Sequence, residues 1–340
     1  MNKRVTLKSI AAHCGLSDRT VSEILNRKGK RYAKDTVARV DAAAQELGYL
    51  PNAQARAVAN GRLNTIGLVV GHVQRDRSRV PAGTLHPDLL SGLTDAARAA
   101  GQQLVVGDLD EVAQASATPS FLQERQVDGI VLNAHLALPE PVLEALQRYR
   151  IPVVRINAAS ETDCVRVDDV QVGRLAVEHL LSQGHRRLAF VAKQLGEVDA
   201  HVSVADRLRG AQGAARAAGV SLKITDPDLL DQVDGVLEVA AAWRRDPERP
   251  DGLVMYDGDG ALALTAALAM QGLHYQADYA MVLLGTGARW HWPRIAAVSL
   301  PWYEIGRQAI AMVLARGAGA GAQACVRVPG ELRAFSEEQV

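Results

Sequence analysis

In the stretch GLSDRTVSEILN, residues 15–26, three ionisable side chains fall on one polar helical face: Asp18, Arg19 and Glu23. These are the groups that read base-pair edges, an arginine through two hydrogen bonds to guanine and a carboxylate by accepting from the cytosine amino group. Two carboxylates facing a polyanion need a reason. Asp18 follows the capping Ser17, where the helix dipole favours a negative charge by roughly 0.3–1 kcal/mol, so a capping role explains it as well as base contact does. Glu23 follows Arg19 by four residues, the spacing of an intrahelical ion pair, and is expected to aim the guanidinium.

Three short helices must position this face. Thr6 caps a first, with Leu7, Ile10 and Ala11 on one side; HCGL then supplies a turn in which Gly15 takes positive φ. Ser17 caps the second, whose Val21, Ile24 and Leu25 point opposite to the polar face. A third carries Val37, Val40, Ala44 and Leu47 and stops at Gly48 and Pro51. The pattern fits a helix-turn-helix, and equally a three-helix bundle that only packs.

Charge distinguishes the two readings better than the pattern does. The chain is neutral overall, yet residues 1–62 hold 12 Lys/Arg against 5 Asp/Glu, a surplus of +7 balanced by −7 in the remainder. A basic head on an acidic body is what phosphate attraction at one end requires. Lys3, Arg4, Lys8, Arg27, Lys28, Lys30, Arg31 and Lys34 are the cationic phosphate partners, with Thr6, Ser17, Thr20 and Ser22 as neutral donors.

With 340 residues, 48% of them apolar, the chain can bury more than one core. From Thr65 onward, short apolar runs (TIGLVVG, QLVVGDL, GIVLNA, PVVRIN, RLAFVA, GLVMYD, MVLLGT, IAAVSL) alternate with Ala- and Leu-rich helical stretches. Such alternation implies βαβ units and parallel sheets, an α/β body with a cleft outside the strand carboxyl ends. Three scattered cysteines, Cys14, Cys164 and Cys325, suggest neither a disulfide frame nor a metal site. No signal peptide or membrane-length apolar run is read, so a cytoplasmic protein without membrane contact is expected. A G-x-G-x-x-A run in YDGDGALAL is the one enzyme-like motif. It is a weak dinucleotide signal, since the following acid, Asp278, precedes the next strand instead of ending it. No catalytic residues, metal or cofactor are expected.

The residues VTLKSIAAHCGLSDRTVSEILN, ARVDAAAQELGYLPNAQARAVANGR and TIGLVV closely resemble the lactose-repressor (LacI/GalR) family of bacterial transcription regulators, continuously over the first 70 residues apart from one extra residue in RKGKRYAKDT. RVDDVQVGRLAVEHLLSQGHRRLAFVA resembles a strand-helix segment of the same family. The resemblance implies a helix-turn-helix DNA-binding domain at 1–50, a hinge helix or linker at 51–62 and a two-lobed, periplasmic-binding-protein-like effector and dimerisation domain at 63–340. Lobe one is then about 63–160 and 300–325, and lobe two about 161–290 and 326–340. It places Asp18, Arg19 and Glu23 at base-reading positions. The linker, too short to persist as a helix in water, would fold on DNA with Asn52 and Ala55 in the minor groove and Val58 as the wedge, where relatives usually carry Leu. The partners implied are duplex operator DNA, a small-molecule effector and a second copy of the chain.

For the effector the resemblance names Arg207, a bidentate donor if it does not merely open a helix on the surface, and Leu85 and His86 in place of an aromatic pair. Trp302 matches a cleft-wall position and suits core packing as well, and Asp168 and Gln171 follow a strand end where Asp168 also suits a helix cap. Gly258 and Gly287 stand where relatives carry polar ligands, so Asp257, Trp290 or His291 is expected to have taken over. The effector class stays open among sugars, nucleosides and small acids. The resulting expectation is a regulator, a repressor by preference, that binds a near-palindromic operator as a homodimer. The alternative is a binding protein of the periplasmic type without regulated DNA binding, which fits the body but not the basic head.

Overall fold

A computed structural model describes residues 5–26, 31–49, 62–70, 85–108, 126–133, 144, 146–192, 201–225, 233–285 and 295–334. The expectations for Lys3, Arg4, Arg27, Lys28, Lys30, Asn52, Ala55, Val58, Gly287, Trp290 and His291 fall outside them. The chain divides into two compact units, Met1–Leu63 and Asn64–Val340.

The first unit holds α1 (Leu7–Cys14), α2 (Asp18–Leu25) and α3 (Lys34–Glu46). Thr6 and Ser9 form a reciprocal capping box on α1, and Gly15 ends it in the left-handed region at φ 64°. Ser17 Oγ accepts from Thr20 N and starts α2. Ala33 offers α3 no side-chain cap. Ile10, Ala11, Cys14, Val21, Ile24, Val40 and Ala43 close a core in which Val21 and Ile24 turn the opposite face of α2 outward.

The second unit contains two six-stranded sheets. Its elements in chain order are β1 (Thr65–Val70), α4 (Pro87–Ala99), β2 (Gln103–Asp108), β3 (Gly129–Asn133), β4 (Val153–Ile156), β5 (Cys164–Val167), α5 (Asp169–Ser182), β6 (Leu188–Val191), α6 (Val202–Ala217) and β7 (Leu222–Ile224). There follow α7 (Val233–Arg245), β8 (Gly252–Met255), α8 (Gly258–Met270), β9 (Ala280–Leu284), β10 (Ala296–Ser299), α9 (Trp302–Gly317), β11 (Val326–Val328) and β12 (Glu331–Arg333). The strand orders are β11-β5-β4-β3-β1-β2 and β12-β10-β9-β8-β6-β7. Every pairing is parallel except β10 with β12, so the two lobes repeat one doubly wound order.

Both faces of the second sheet are covered, which explains why its strands read as unbroken apolar runs. Along β6, Leu188 and Phe190 join one core with Val177, Leu180 and Ala211, while Ala189 and Val191 join another with Val239, Leu264 and Leu268. Two helix pairs cross at near backbone contact. A Cβ on Gly210 would meet Val170 O at 1.9 Å and one on Gly173 would meet Arg207 O at 1.9 Å, so α5 and α6 touch through glycine. Gly92 and Gly306 do the same for α4 and α9.

The lobe boundaries differ from the expected ones. Cys164–Val167 and Val326–Val328, expected in lobe two, pair with each other and, through β4, with the first sheet. The chain therefore crosses after these strands and not before them, because β5 is buried along its whole length and needs a partner on each side. The crossings follow β5, β10 and β11, since α9 packs on α4, β3, β4 and β5 while β12 edges the second sheet.

Candidate functional site

On α2, Arg19 projects into solvent with its side chain 86% exposed, and its Nε donates to Glu23 Oε1 at 3.1 Å. The carboxylate is held from both sides, for Tyr32 Oη donates to Glu23 Oε2 at 2.7 Å. The Tyr32 hydrogen bond, then Arg19, holds the Glu23 carboxyl below its ordinary value, and Glu23 in turn raises the Tyr32 phenol. With both oxygens engaged, Glu23 is better placed to orient Arg19 than to accept from a base. Sequence reading overlooked Tyr32, which lies in the irregular stretch before α3 and has no periodic signature.

Asp18 is exposed in the first turn of α2, where both a dipole role and a base contact remain open to it. Thr6 and Ser17 direct their hydroxyl oxygens to backbone N–H groups at helix starts, and Ser17 Oγ lies 2.8 Å from Thr20 Oγ1. Ser22 Oγ accepts from Asn26 Nδ2 at 3.3 Å, and Arg31 is exposed.

In the second unit Arg207 is buried, not a surface residue. Its Nε donates to Asp169 Oδ1 at 2.9 Å, its Nη1 to Leu284 O at 3.3 Å at the carboxyl end of β9, and its guanidinium lies 4.8 Å over the Tyr256 ring. Around it Ser203 Oγ joins His201 Nδ1 at 2.6 Å and Tyr256 Oη at 2.7 Å. Arg166 Nη2 donates to Asp206 Oδ2, which makes Arg166, Asp169, Asp206 and Arg207 one buried charge cluster. Burial pushes the Asp169 carboxyl above its ordinary range, with Arg207 pulling against it. Sequence reading missed Arg166, Asp169, His201, Ser203, Asp206 and Tyr256. The HVS run before VADR was a helix-start signal, since His201 caps α6 through Ser203 N.

On the first lobe His86 caps α4 and its ring stacks on Trp302 at 5.4 Å and 21°, beside the half-buried Leu85. The structure thus brings Leu85, His86 and Trp302 together at the starts of α4 and α9. Gln171 Nε2 donates to Gly330 O at 3.1 Å and its Oε1 accepts from Gly330 N at 3.0 Å, so the amide fastens the β11–β12 crossing to α5. Asp168 caps α5 through Gln171 N at 3.1 Å, and Asp257 caps α8 through Gly260 N at 2.6 Å. A cavity of about 820 Å³ lined by Ile224, Leu237, Trp243, Pro250 and Met270 contains none of the expected effector residues.

Known proteins are similar to this chain in sequence and in fold. A family model for bacterial regulatory proteins of the lacI family matches residues 6–52, and one for a periplasmic binding protein-like domain matches residues 177–334. The maltose regulon regulatory protein MalI of Escherichia coli (strain K12) is 34% identical over 199 residues, 56% of this chain but only 55% of that protein. The ribose operon repressor of the same organism is 24% identical over 326 residues, covering 92% of each. The crystal structure of the Lac repressor dimer bound to operator and the anti-inducer ONPF superposes with a TM-score of 0.74 at 20% identity, covering 97% of this chain and 98% of that one.

Proposed function

We propose, from the premise that the chain belongs to the LacI/GalR family of bacterial transcription regulators, that it is a repressor whose DNA affinity a small molecule in the inter-lobe cleft controls. An effector-responsive DNA-binding regulator, not an enzyme, is the activity the family supplies. The observation that carries the reading is the exposed Arg19 on a capped helix, steadied by Glu23 toward whatever meets that face. On this reading residues 1–50 are the DNA-binding domain, 51–62 the hinge and 63–340 the effector and dimer domain.

Two heads of a homodimer would then take adjacent half-sites of a near-palindromic operator, as the operator-bound repressor dimer among its structural likenesses supports. Arg19 reads a guanine edge, Asp18 sits beside it, and Thr20, Ser22, Arg27, Lys28, Lys30 and Arg31 meet phosphates. Asn52, Ala55 and Val58 enter the minor groove.

Arg207 is the polar anchor for the effector. Its Nη2 makes no hydrogen bond to a described residue and remains for a ligand hydroxyl or carboxylate. Leu85, His86 and Trp302 offer an apolar, ring-stacking wall for a sugar, nucleoside or small acid, with Asp257 and Trp290 as further contacts. Effector binding that favours one lobe arrangement shifts DNA affinity by the same coupling free energy. Among the described residues no helix is long and apolar enough to cross a membrane, and we place the protein in the cytoplasm.

Selection of genomic fragments by purified full-length protein tests the reading, repeated across salt concentrations and with sugars, nucleosides and small acids added. A near-palindromic consensus, an affinity falling steeply with salt and a response lost in Arg207→Ala are expected. No preferred fragment under any of these conditions overturns it in favour of a ligand-binding protein without regulated DNA binding.

A further inference from the structure

Two of the three cysteines come together where the chain passes between the lobes. β5 and β11 run parallel with Val165 opposite Val326, so one step back along both strands Cys164 stands opposite Cys325. Paired residues of parallel strands lie about 4.8 Å apart with side chains on one face, inside the roughly 4.4–6.8 Å Cα separation that a disulfide spans. The backbone ties the same spot, since Cys325 N donates to Glu161 O at 2.8 Å and Thr162 bridges Ala324.

Both thiols are free. Cys164 is wholly buried with Sγ 3.6 Å from Ala158 O, and Cys325 is half-buried. Burial pushes the Cys164 thiol up to about 12, and the Cys325 thiol is among the neighbours that keep its proton on. Cys325, the more accessible, therefore meets an oxidant first.

We propose that Cys164 and Cys325 form a reversible dithiol–disulfide site oxidised by hydrogen peroxide. The Cys325 thiolate attacks one peroxide oxygen, the O–O bond breaks, and hydroxide leaves and takes up a proton, giving the Cys325 sulfenic acid. Cys164 Sγ then attacks that sulfur, the S–O bond breaks, and the departing hydroxide leaves as water with the Cys164 proton. Two thiols lose two electrons and one peroxide becomes two waters. The product staples the two strands that lead into adjacent crossings: β5 runs through Asp168 into α5, and β11 through Gly330 into β12. Asp168 N already donates to Val328 O at 2.8 Å and Gln171 already grips Gly330, so the covalent link would fix a junction otherwise held by hydrogen bonds. The inference is independent of DNA and effector binding.

The test is thiol mapping of reduced, full-length protein after exposure to hydrogen peroxide. Alkylation under denaturing conditions and mass analysis without reductant should show two of the three thiols lost, one peptide pair joined through Cys164 and Cys325, Cys14 still alkylated, and all thiols recovered with dithiothreitol. Cys164→Ser should leave a Cys325 sulfenic acid that a cyclic 1,3-dione traps, and Cys325→Ser should leave Cys164 reduced. Wild-type protein that retains all three thiols, links through Cys14, or takes Cys325 to sulfinic acid beside a free Cys164 overturns the proposal, whatever the variants do.

Discussion

Tyr32 donates its hydroxyl to Glu23 Oε2 at 2.7 Å, and so fixes from outside the helix a carboxylate whose other oxygen holds Arg19 Nε. A flexible exposed arginine becomes a directed one when its partner cannot rotate away. Tyr32→Phe keeps the ring packed on the head core and removes only the donor. On a panel of operator base substitutions, Tyr32→Phe should relax preference at the base pair read by Arg19 by about ten-fold, the scale of a bidentate guanine contact. Because the Glu23 carboxyl is held low, the triad is intact above the ordinary carboxylate range and is lost as pH falls through the lowered value. Unchanged base preference in Tyr32→Phe would remove the orienting role.

Gly210 and Gly173 bring α5 and α6 together at the residue pair that carries Asp169 and Arg207. A methyl group at either glycine would overlap a backbone carbonyl, which cannot rotate aside as a side chain can. Gly210→Ala should therefore cost about 2–3 kcal/mol or more in urea unfolding. The same substitution at Gly213, where a Cβ meets nothing within 4 Å, should leave the transition almost unmoved.

Asp169 is the carboxylate shared by Arg207 Nε at 2.9 Å and Arg166 Nη2 at 4.0 Å. Its removal leaves the buried Arg207 guanidinium without its carboxylate partner, while Arg166 keeps Asp206. Asp169→Ala should destabilise the body by about 3–5 kcal/mol, the usual result of orphaning a buried charge. Asp169→Asn, whose amide oxygen still accepts from Arg207, should be milder. Equal and small effects in denaturant unfolding would show that the cluster does not support the fold.

His179 on α5 is half-buried, and desolvation first and His185 second lower its value from 6.5. The folded chain thus takes up this proton at lower pH than the unfolded chain does. The stability concerned is present above about pH 6.5 and is lost as pH falls through the lowered value. The denaturant midpoint should drop between pH 7 and pH 5, and His179→Gln should flatten part of that drop. Parallel pH profiles for the two proteins would exclude His179 as a contributor.

The head was legible in the sequence because its signals are local: the Thr6 and Ser17 caps, the Gly15 turn and the Val21–Ile24 stripe each lie within one or two helical turns. The eight apolar runs beyond Thr65 correspond to eight of the strands. The short strands Leu222–Ile224, Val326–Val328 and Glu331–Arg333 were passed over, since three residues on a sheet edge carry too little pattern to register.

What the sequence determined by itself was the α/β body, the three-helix head and the sign of charge at each end, all of which follow from periodicity and composition within short windows. Only the tertiary structure decided which polar groups are shared. It placed Tyr32 on Glu23, gave the Gln171 amide to Gly330, set Arg207 against Asp169 beneath Tyr256, and aligned Cys164 with Cys325. The physical reason is that a buried donor or acceptor must find a partner wherever the fold brings one near, and in a doubly wound sheet the neighbouring strand or helix comes from a distant part of the chain.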